Sequence, residues 1–114
     1  MAETIFDKIL ARQIPAQIVF EDQHVIAFKD ISPQARVHVL VVPKKKARNL
    51  SELQQWQASE VGLFFQKVAE VADLLGLKET GYRTVLNTGE QGGQSVDYIH
   101  AHILGGEALS GRFA

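Results

Sequence analysis

Two histidines near the C-terminus, His100 and His102, stand one residue apart in an otherwise apolar segment. In an extended strand successive side chains alternate between faces, so both imidazoles are expected to project the same way, about 7 Å apart. A neutral imidazole is available as a nucleophile or acid-base group at pH 7, because its reference pKa is about 6.5. Taken alone, a pair with this spacing is as often an ordinary, partly buried pair as a reactive one.

The segment that precedes the histidines, residues 89–95, is a glycine-rich loop. Glycines permit backbone conformations that turn several N–H groups toward one point, which is one way to bind an anion. A phosphate group is the natural ligand of such a loop. The histidine pair and the loop together therefore predict phosphate chemistry at this end of the chain.

Length and composition exclude several classes of protein. A chain of 114 residues predicts a single domain over residues 1–114, and no apolar run approaches the roughly 20 residues that span a bilayer. There is no cysteine, so disulfides and thiolate metal sites are excluded, which fits a cytoplasmic protein. A net charge of −1 argues against a nucleic-acid partner.

The order of elements predicts an α+β fold, with a five-stranded antiparallel sheet, a short N-terminal helix and one long helix. Thr4 and Asp7 have the spacing of a capping box, and Pro15 prevents the first helix from continuing. In the third strand His38 shares a face with two apolar residues, so its direction is defined. The predicted helices are Ile5 to about Arg12 and Leu53 to Leu75; the predicted strands are Gln17–Glu21, Val25–Lys29, Val37–Val42, Tyr82–Asn87 and Asp97–Leu104.

Several separated blocks carry a specific resemblance. They are Phe20-Glu21-Asp22, Ala27-Phe28-Lys29-Asp30-Ile31-Ser32-Pro33, Val42-Pro43-Lys44-Lys45, Gly92-Gly93-Gln94-Ser95-Val96 and Tyr98-Ile99-His100-Ala101-His102. In these blocks, and along nearly its whole length, the chain resembles the nucleoside phosphoramidase branch of the histidine triad family. The family motif is three histidines alternating with apolar residues. Three positions depart from the branch pattern: Tyr98 replaces the first histidine, Lys46 replaces another histidine, and Glu107 replaces an arginine.

The resemblance implies a hydrolase acting on the P–N bond of purine nucleoside 5′-phosphoramidates. It assigns His100 as the nucleophile that forms a covalent nucleotidyl-imidazole, and His102 as the group that contacts the phosphate oxygens or the leaving group. His38 would support the histidines from the neighbouring strand, although a packing role is an equal alternative from spacing alone. Ser95 would donate to the leaving nitrogen. His24, in a predicted turn, is expected to be a surface residue.

The resemblance also implies a nucleotide-binding set. Asp30 would bind the ribose hydroxyls, with an Asx-type turn as the competing explanation for that residue. The expected base pocket is Phe6, Ile9, Phe28 and Ile31, each of which is also an ordinary core residue, and the expected phosphate set is Asn87, Gly93, Gln94 and Ser95, each of which also fits a turn. The expected partner is a purine nucleotide or nucleoside phosphoramidate, with no cofactor or metal, in a homodimer whose two sheets join edge to edge.

Other functions stay open at this point. A nucleotide-binding or partner-binding module with little turnover is supported by Tyr98 and the altered tail. A dinucleoside-polyphosphate hydrolase is a weaker enzyme alternative, because that branch typically lacks the Gly-Gly-Gln-Ser segment. A metal site from His38, His100 and His102 would have three ligands, fewer than the four of a closed zinc site. The basic run at residues 44–48 is expected to be a solvated face, or else to steer an anionic substrate.

Overall fold

A computed structural model describes residues 2–113. Its centre is a five-stranded antiparallel sheet with the strand order β1-β2-β3-β5-β4, which confirms the predicted fold class. The helices are α1 (Ile5–Leu10) and α2 (Ala58–Leu74), with a 3-10 helix at Leu50–Gln55; the strands are β1 (Ile18–Glu21), β2 (Val25–Lys29), β3 (Val37–Pro43), β4 (Tyr82–Val85) and β5 (Ala101–Gly105).

The start of α1 follows from its capping box. The Thr4 side chain accepts hydrogen bonds from the N–H groups of residues 6 and 7, and the Asp7 carboxylate accepts one from the Thr4 N–H at 2.7 Å. The helix ends at Leu10, two residues earlier than predicted, because Arg12 adopts a left-handed conformation with φ 61°. Phe6 and Ile9 are buried, and Phe6 packs edge-on against Phe28 of β2.

The two faces of the sheet have different partners. One face, which includes Val39 and Ile103, packs beneath the buried apolar side of α2. The other face carries the histidines, because β3 and β5 pair with Leu40 opposite His102 and with His38 opposite Leu104. Residues directly opposite each other in an antiparallel pair share a face, so this register brings His38 and His102 to the same side.

The prediction of a long helix from Leu53 to Leu75 is wrong at the start of that helix. The chain there forms the 3-10 helix and then extends through Trp56 and Gln57, so α2 begins only at Ala58. The break is stabilised by the Glu60 carboxylate, which accepts a hydrogen bond from the Gln57 N–H at 2.9 Å. At the other end, α2 stops at Leu74, one residue from the predicted Leu75, and Gly76 follows with φ 79°. No helix among residues 2–113 combines the length and the apolar character needed to cross a membrane.

The last strand is also shorter than predicted, since it begins at Ala101 rather than at residue 97. The preceding residues direct their backbone groups elsewhere. The Ile99 N–H donates to the Ala47 carbonyl at 2.8 Å, and the Tyr98 carbonyl accepts from the ring of His100. His100 therefore lies immediately before the strand, and its ring centroid is 5.0 Å from that of His102, closer than two same-face residues of a strand. The Asn87 end of the predicted fourth strand lies outside β4, which stops at Val85.

Candidate active site

A cleft of about 340 Å³ opens between α1, the end of β2 and the segment that leads into β5. Its lining contains most of the residues predicted to hold a nucleotide: Phe6, Ile9, Phe28, Asp30, Ile31, Ser95, His100 and His102. Phe6, Ile9 and Phe28 are buried, whereas Ile31 is 95% exposed at the rim. Core packing therefore accounts for the first three residues but not for Ile31.

The ring of His100 has a defined tautomer. Its Nδ1 lies 2.7 Å from the Tyr98 carbonyl oxygen, which can only accept a hydrogen bond, so the ring proton is on Nδ1. The lone pair is then on Nε2. His100 is 5% exposed, and the edge of Phe6 packs against it with ring centroids 4.9 Å apart. Burial lowers the pKa of His100, although the Tyr98 carbonyl and the Asp30 charge oppose that shift, so the ring is neutral at pH 7.

The tautomer of His102 is set through His38. The Gln34 N–H donates to His38 Nδ1 at 3.0 Å, so the proton of the His38 ring is on Nε2. That nitrogen lies 2.9 Å from His102 Nδ1 and donates to it, which leaves the His102 proton on its own Nε2. Burial, followed by the neighbouring His100 and His38, lowers the pKa of His102 to about 4.

The two cleft histidines therefore offer complementary groups. His100 has an unprotonated Nε2, and His102, whose ring centroid lies 5.0 Å from that of His100, has an Nε2–H donor. A nucleophile next to a fixed donor is the arrangement needed to attack a phosphorus atom while a phosphate oxygen gains charge.

Asp30 both stabilises the local turn and lines the cleft. Its Oδ1 accepts a hydrogen bond from the Ser32 N–H at 2.8 Å, so the Asx-type turn is present. Its Oδ2 lies 3.5 Å from His38 Nε2 and retains the capacity to accept from hydroxyl groups. The two explanations of this residue are therefore compatible.

The glycine-rich loop is held by its own side chains. The Asn87 amide donates to the Gly92 carbonyl at 2.8 Å, and the Gln94 amide donates to the Arg48 and Val96 carbonyls at 2.6 and 2.9 Å. The N–H groups of Gly93 and Gln94 also bond within the loop, to the carbonyls of residues 90 and 89. These groups shape the loop, whereas Ser95 at its end lines the cleft.

His38 and Asn87 lie outside this cleft and line a neighbouring one of about 430 Å³. His102 borders both clefts. The tail closes the second cleft, where the Glu107 carboxylate accepts a hydrogen bond from the Arg36 N–H at 2.6 Å. Sequence reasoning missed Gln34, whose N–H directs the tautomer of His38, because nothing in the local pattern marks a backbone donor.

Three donors are grouped closely enough to raise the question of a metal ion: Asp30, His38 and His102, within 4.8 Å of one another among the described residues. A metal would need lone pairs on both facing nitrogens. His38 Nε2 carries the ring proton, because His38 Nδ1 accepts from Gln34, so the pair is built as a hydrogen bond. The donor set therefore does not fit a metal in this state.

The three lysines of the basic run form ion pairs. The pairs are Lys44 with Glu21 at 2.9 Å, Lys45 with Glu60 at 2.8 Å and Lys46 with Asp7 at 2.8 Å. Each lysine pairs with a carboxylate on another element of the fold. This favours a structural role for the lysines over a role in steering an anionic substrate. His24 lies in the turn between β1 and β2, where its ring contacts Gln23.

Comparison with known proteins identifies the family. The model of the HIT (histidine triad) domain matches residues 11–109 of the chain. The chain belongs to the HIT family. An uncharacterised HIT-like protein of Synechococcus elongatus is 48% identical over 108 residues, covering 95% of this chain and 94% of that protein. A protein of Escherichia coli named purine nucleoside phosphoramidase is 42% identical over 107 residues, covering 94% of this chain and 90% of that protein.

Solved structures of the HIT family have the same fold. A HIT family hydrolase from Clostridium thermocellum superposes with a TM-score of 0.90 at 38% identity, covering 100% of this chain and 99% of that one. A histidine triad protein from Clostridium difficile superposes with a TM-score of 0.86 at 37% identity, covering 98% and 99%. The family resemblance stated from the sequence is therefore confirmed.

Proposed function

We propose that this HIT protein is a hydrolase that cleaves the P–N bond of purine nucleoside 5′-phosphoramidates, releasing a nucleoside monophosphate and an amine. The observation that carries the proposal is the hydrogen bond from His100 Nδ1 to the Tyr98 carbonyl, which leaves the Nε2 lone pair of a neutral imidazole beside the cleft. The Escherichia coli relative named purine nucleoside phosphoramidase supports the choice of substrate.

In the first step His100 Nε2 attacks phosphorus, a P–Nε2 bond forms and the P–N bond to the amine breaks. The amine leaves with a proton taken from solvent at the open mouth of the cleft, and Ser95, which lines the cleft, donates a hydrogen bond to the leaving nitrogen. His102 Nε2–H donates to a phosphate oxygen as it gains charge. Water then attacks phosphorus, the P–Nε2 bond breaks and the water's proton returns to solvent, which restores neutral His100.

The remaining cleft residues orient the nucleoside. The buried rings of Phe6 and Phe28 and the side chain of Ile9 form an apolar wall for a purine, and Ile31 covers it from the rim. Asp30 Oδ2 accepts from the ribose hydroxyls while its Oδ1 holds the turn. Asn87, Gly93 and Gln94 act by holding the loop that ends at Ser95 beside the phosphate.

The test is release of adenosine monophosphate from adenosine phosphoramidate. We expect His100→Ala to abolish release, and mass spectrometry of wild-type protein quenched during turnover to find a nucleotide attached to His100. His24→Ala is the matched control, because His24 lies in the turn between β1 and β2 and should leave turnover unchanged. Undiminished release from His100→Ala would exclude His100 as the nucleophile.

A second candidate is a nucleotide-binding module with little turnover, favoured by Tyr98 at the first position of the triad. Calorimetry with adenosine monophosphate separates the two functions. Tight binding by a protein that turns over no phosphoramidate would establish the module and reject the hydrolase.

We also propose that residues 1–114 act as one cytoplasmic histidine-triad domain and assemble as a homodimer in which two sheets join edge to edge. The match of the HIT model to residues 11–109 supports the single domain, and the absence of cysteine fits the cytoplasm. β1 and β4 form the edges of the sheet, and each carries an exposed large side chain, Ile18 at 42% and Tyr82 at 38%. Light scattering should give about twice 12.6 kDa, and a mass of one chain at micromolar concentration would reject the dimer.

A further inference from the structure

Two of the positions that depart from the branch pattern, Lys46 and Tyr98, contact each other in the fold. The Lys46 ammonium lies 5.4 Å from the centroid of the Tyr98 ring, within the range of a cation–π interaction. The two substitutions therefore belong to one local arrangement.

Tyr98 joins β3 to the nucleophile. Its side chain is 1% exposed, and its hydroxyl donates to the Pro43 carbonyl at the end of β3 at 2.6 Å. Its own carbonyl accepts from His100 Nδ1. One residue is thus anchored through its side chain and holds the tautomer of His100 through its main chain.

Lys46 connects Tyr98 to α1. Its ammonium donates to Asp7 Oδ2 at 2.8 Å and to the Ala2 carbonyl at 3.0 Å. The same Asp7 oxygen accepts from the Thr4 N–H in the capping box of α1. The Lys46 and Asp7 side chains are 22% and 24% exposed, so the ion pair is mostly shielded from solvent.

The helix held in this way forms a wall of the cleft. α1 has six residues, too few to be stable without tertiary contacts. Phe6, next to Asp7, packs edge-on against the rings of both His100 and Tyr98, with centroids 4.9 and 6.3 Å apart. Any shift of α1 therefore moves the apolar wall and the ring that packs against the nucleophile.

We propose that Lys46 and Tyr98 form one positioning pair, which holds α1 against His100 and thereby sets both the nucleotide-binding wall and the orientation of the imidazole. This inference rests on the proposed function, since it assigns the pair to the His100 cleft. Neither residue touches the reacting atoms, and each acts through Asp7, Phe6 or the Tyr98 carbonyl.

The test compares three variants by calorimetry with adenosine monophosphate and by the NMR signal of the His100 Nδ1 proton in ¹⁵N-labelled protein. Lys46→Met removes the charge, and we expect it to weaken nucleotide binding about fivefold and to speed exchange of that proton with solvent. Lys46→Arg keeps the charge and should recover both readouts to within about twofold. Lys45→Met is the matched control, because Lys45 makes the same two kinds of contact, with Glu60 and over Trp56, away from the cleft.

Wild-type affinity and proton exchange in Lys46→Met would overturn the proposal, as would equal losses in Lys45→Met or no recovery in Lys46→Arg. If Lys46→Met does not fold, Tyr98→Phe decides the question, because it removes the Pro43 anchor but keeps the ring. Faster exchange of the His100 proton in Tyr98→Phe supports the pair, and unchanged exchange refutes it. Neither readout requires turnover, so a protein that fails to cleave phosphoramidates refutes the proposed function and leaves this test intact.

Discussion

His38 is the residue whose replacement tests the tautomer assignment most directly. His38→Phe preserves a planar ring at a position that is 7% exposed, but removes the Nε2–H that donates to His102 Nδ1 at 2.9 Å. His102 then has no partner that keeps its proton on Nε2. The change therefore separates the donor function of His102 from the presence of its ring.

The size of the effect follows from one lost hydrogen bond between buried rings. Leaving a buried polar atom without its partner costs about 1–3 kcal/mol. Since about 1.4 kcal/mol corresponds to a factor of ten in rate, we expect kcat to fall about 5-fold to 140-fold. KM should change less than kcat, because His38 does not line the cleft in which we propose that the nucleoside binds.

The assay is steady-state release of adenosine monophosphate from adenosine phosphoramidate, with the melting temperature measured in parallel. His24→Phe is the matched control, since it makes the same substitution in a turn that does not border the cleft. A His38→Phe protein that folds and keeps kcat within twofold of wild type would refute the relay from Gln34 through His38 to His102. A loss confined to KM would refute it as well.

Three further predictions concern charge and backbone geometry. Burial lowers the pKa of His100, and it lowers the pKa of His102 to about 4. Below the ordinary histidine pKa of about 6.5, the unfolded chain therefore takes up protons before the folded protein does. Stability is complete above that pH, and urea unfolding should show that it falls by about 2 kcal/mol between pH 6.5 and 4.5. A flat profile over that range would contradict the burial argument. Asp30→Asn keeps the Asx-type turn but loses the charge. Calorimetry should therefore find that adenosine monophosphate binds about tenfold more weakly, while the melting temperature stays unchanged. Equal affinity would refute the proposed role of Asp30 in binding the ribose. Gly92→Ala places a Cβ 2.3 Å from the Thr88 carbonyl oxygen, so the loop must shift and kcat should fall. The control is Gly111→Ala, where the added Cβ meets no atom within 4 Å, and the fall in kcat should be far smaller. Equal kcat values for the two variants would show that the shape of the loop does not affect turnover.

Much of the fold was predictable because its determinants are local. The Thr4 and Asp7 capping box and the extended run Val37–Val42 each depend on neighbouring residues, and both are present in the structure. The side-chain set of the cleft was predictable because family resemblance covers the blocks that carry it. The break before Ala58 was not predicted, since residues 53–57 contain no glycine or proline that would mark it.

The sequence by itself determined that two imidazoles stand one residue apart after a glycine-rich loop, in a fold with a five-stranded sheet. Tertiary structure decided which nitrogen of each ring carries the proton, because the Tyr98 carbonyl and the Gln34 N–H reach the rings through folded geometry rather than through a side-chain pattern. It also decided that Lys46 meets Tyr98. Contacts between residues distant in the chain depend on how strands and helices pack, and local periodicity carries no information about that packing.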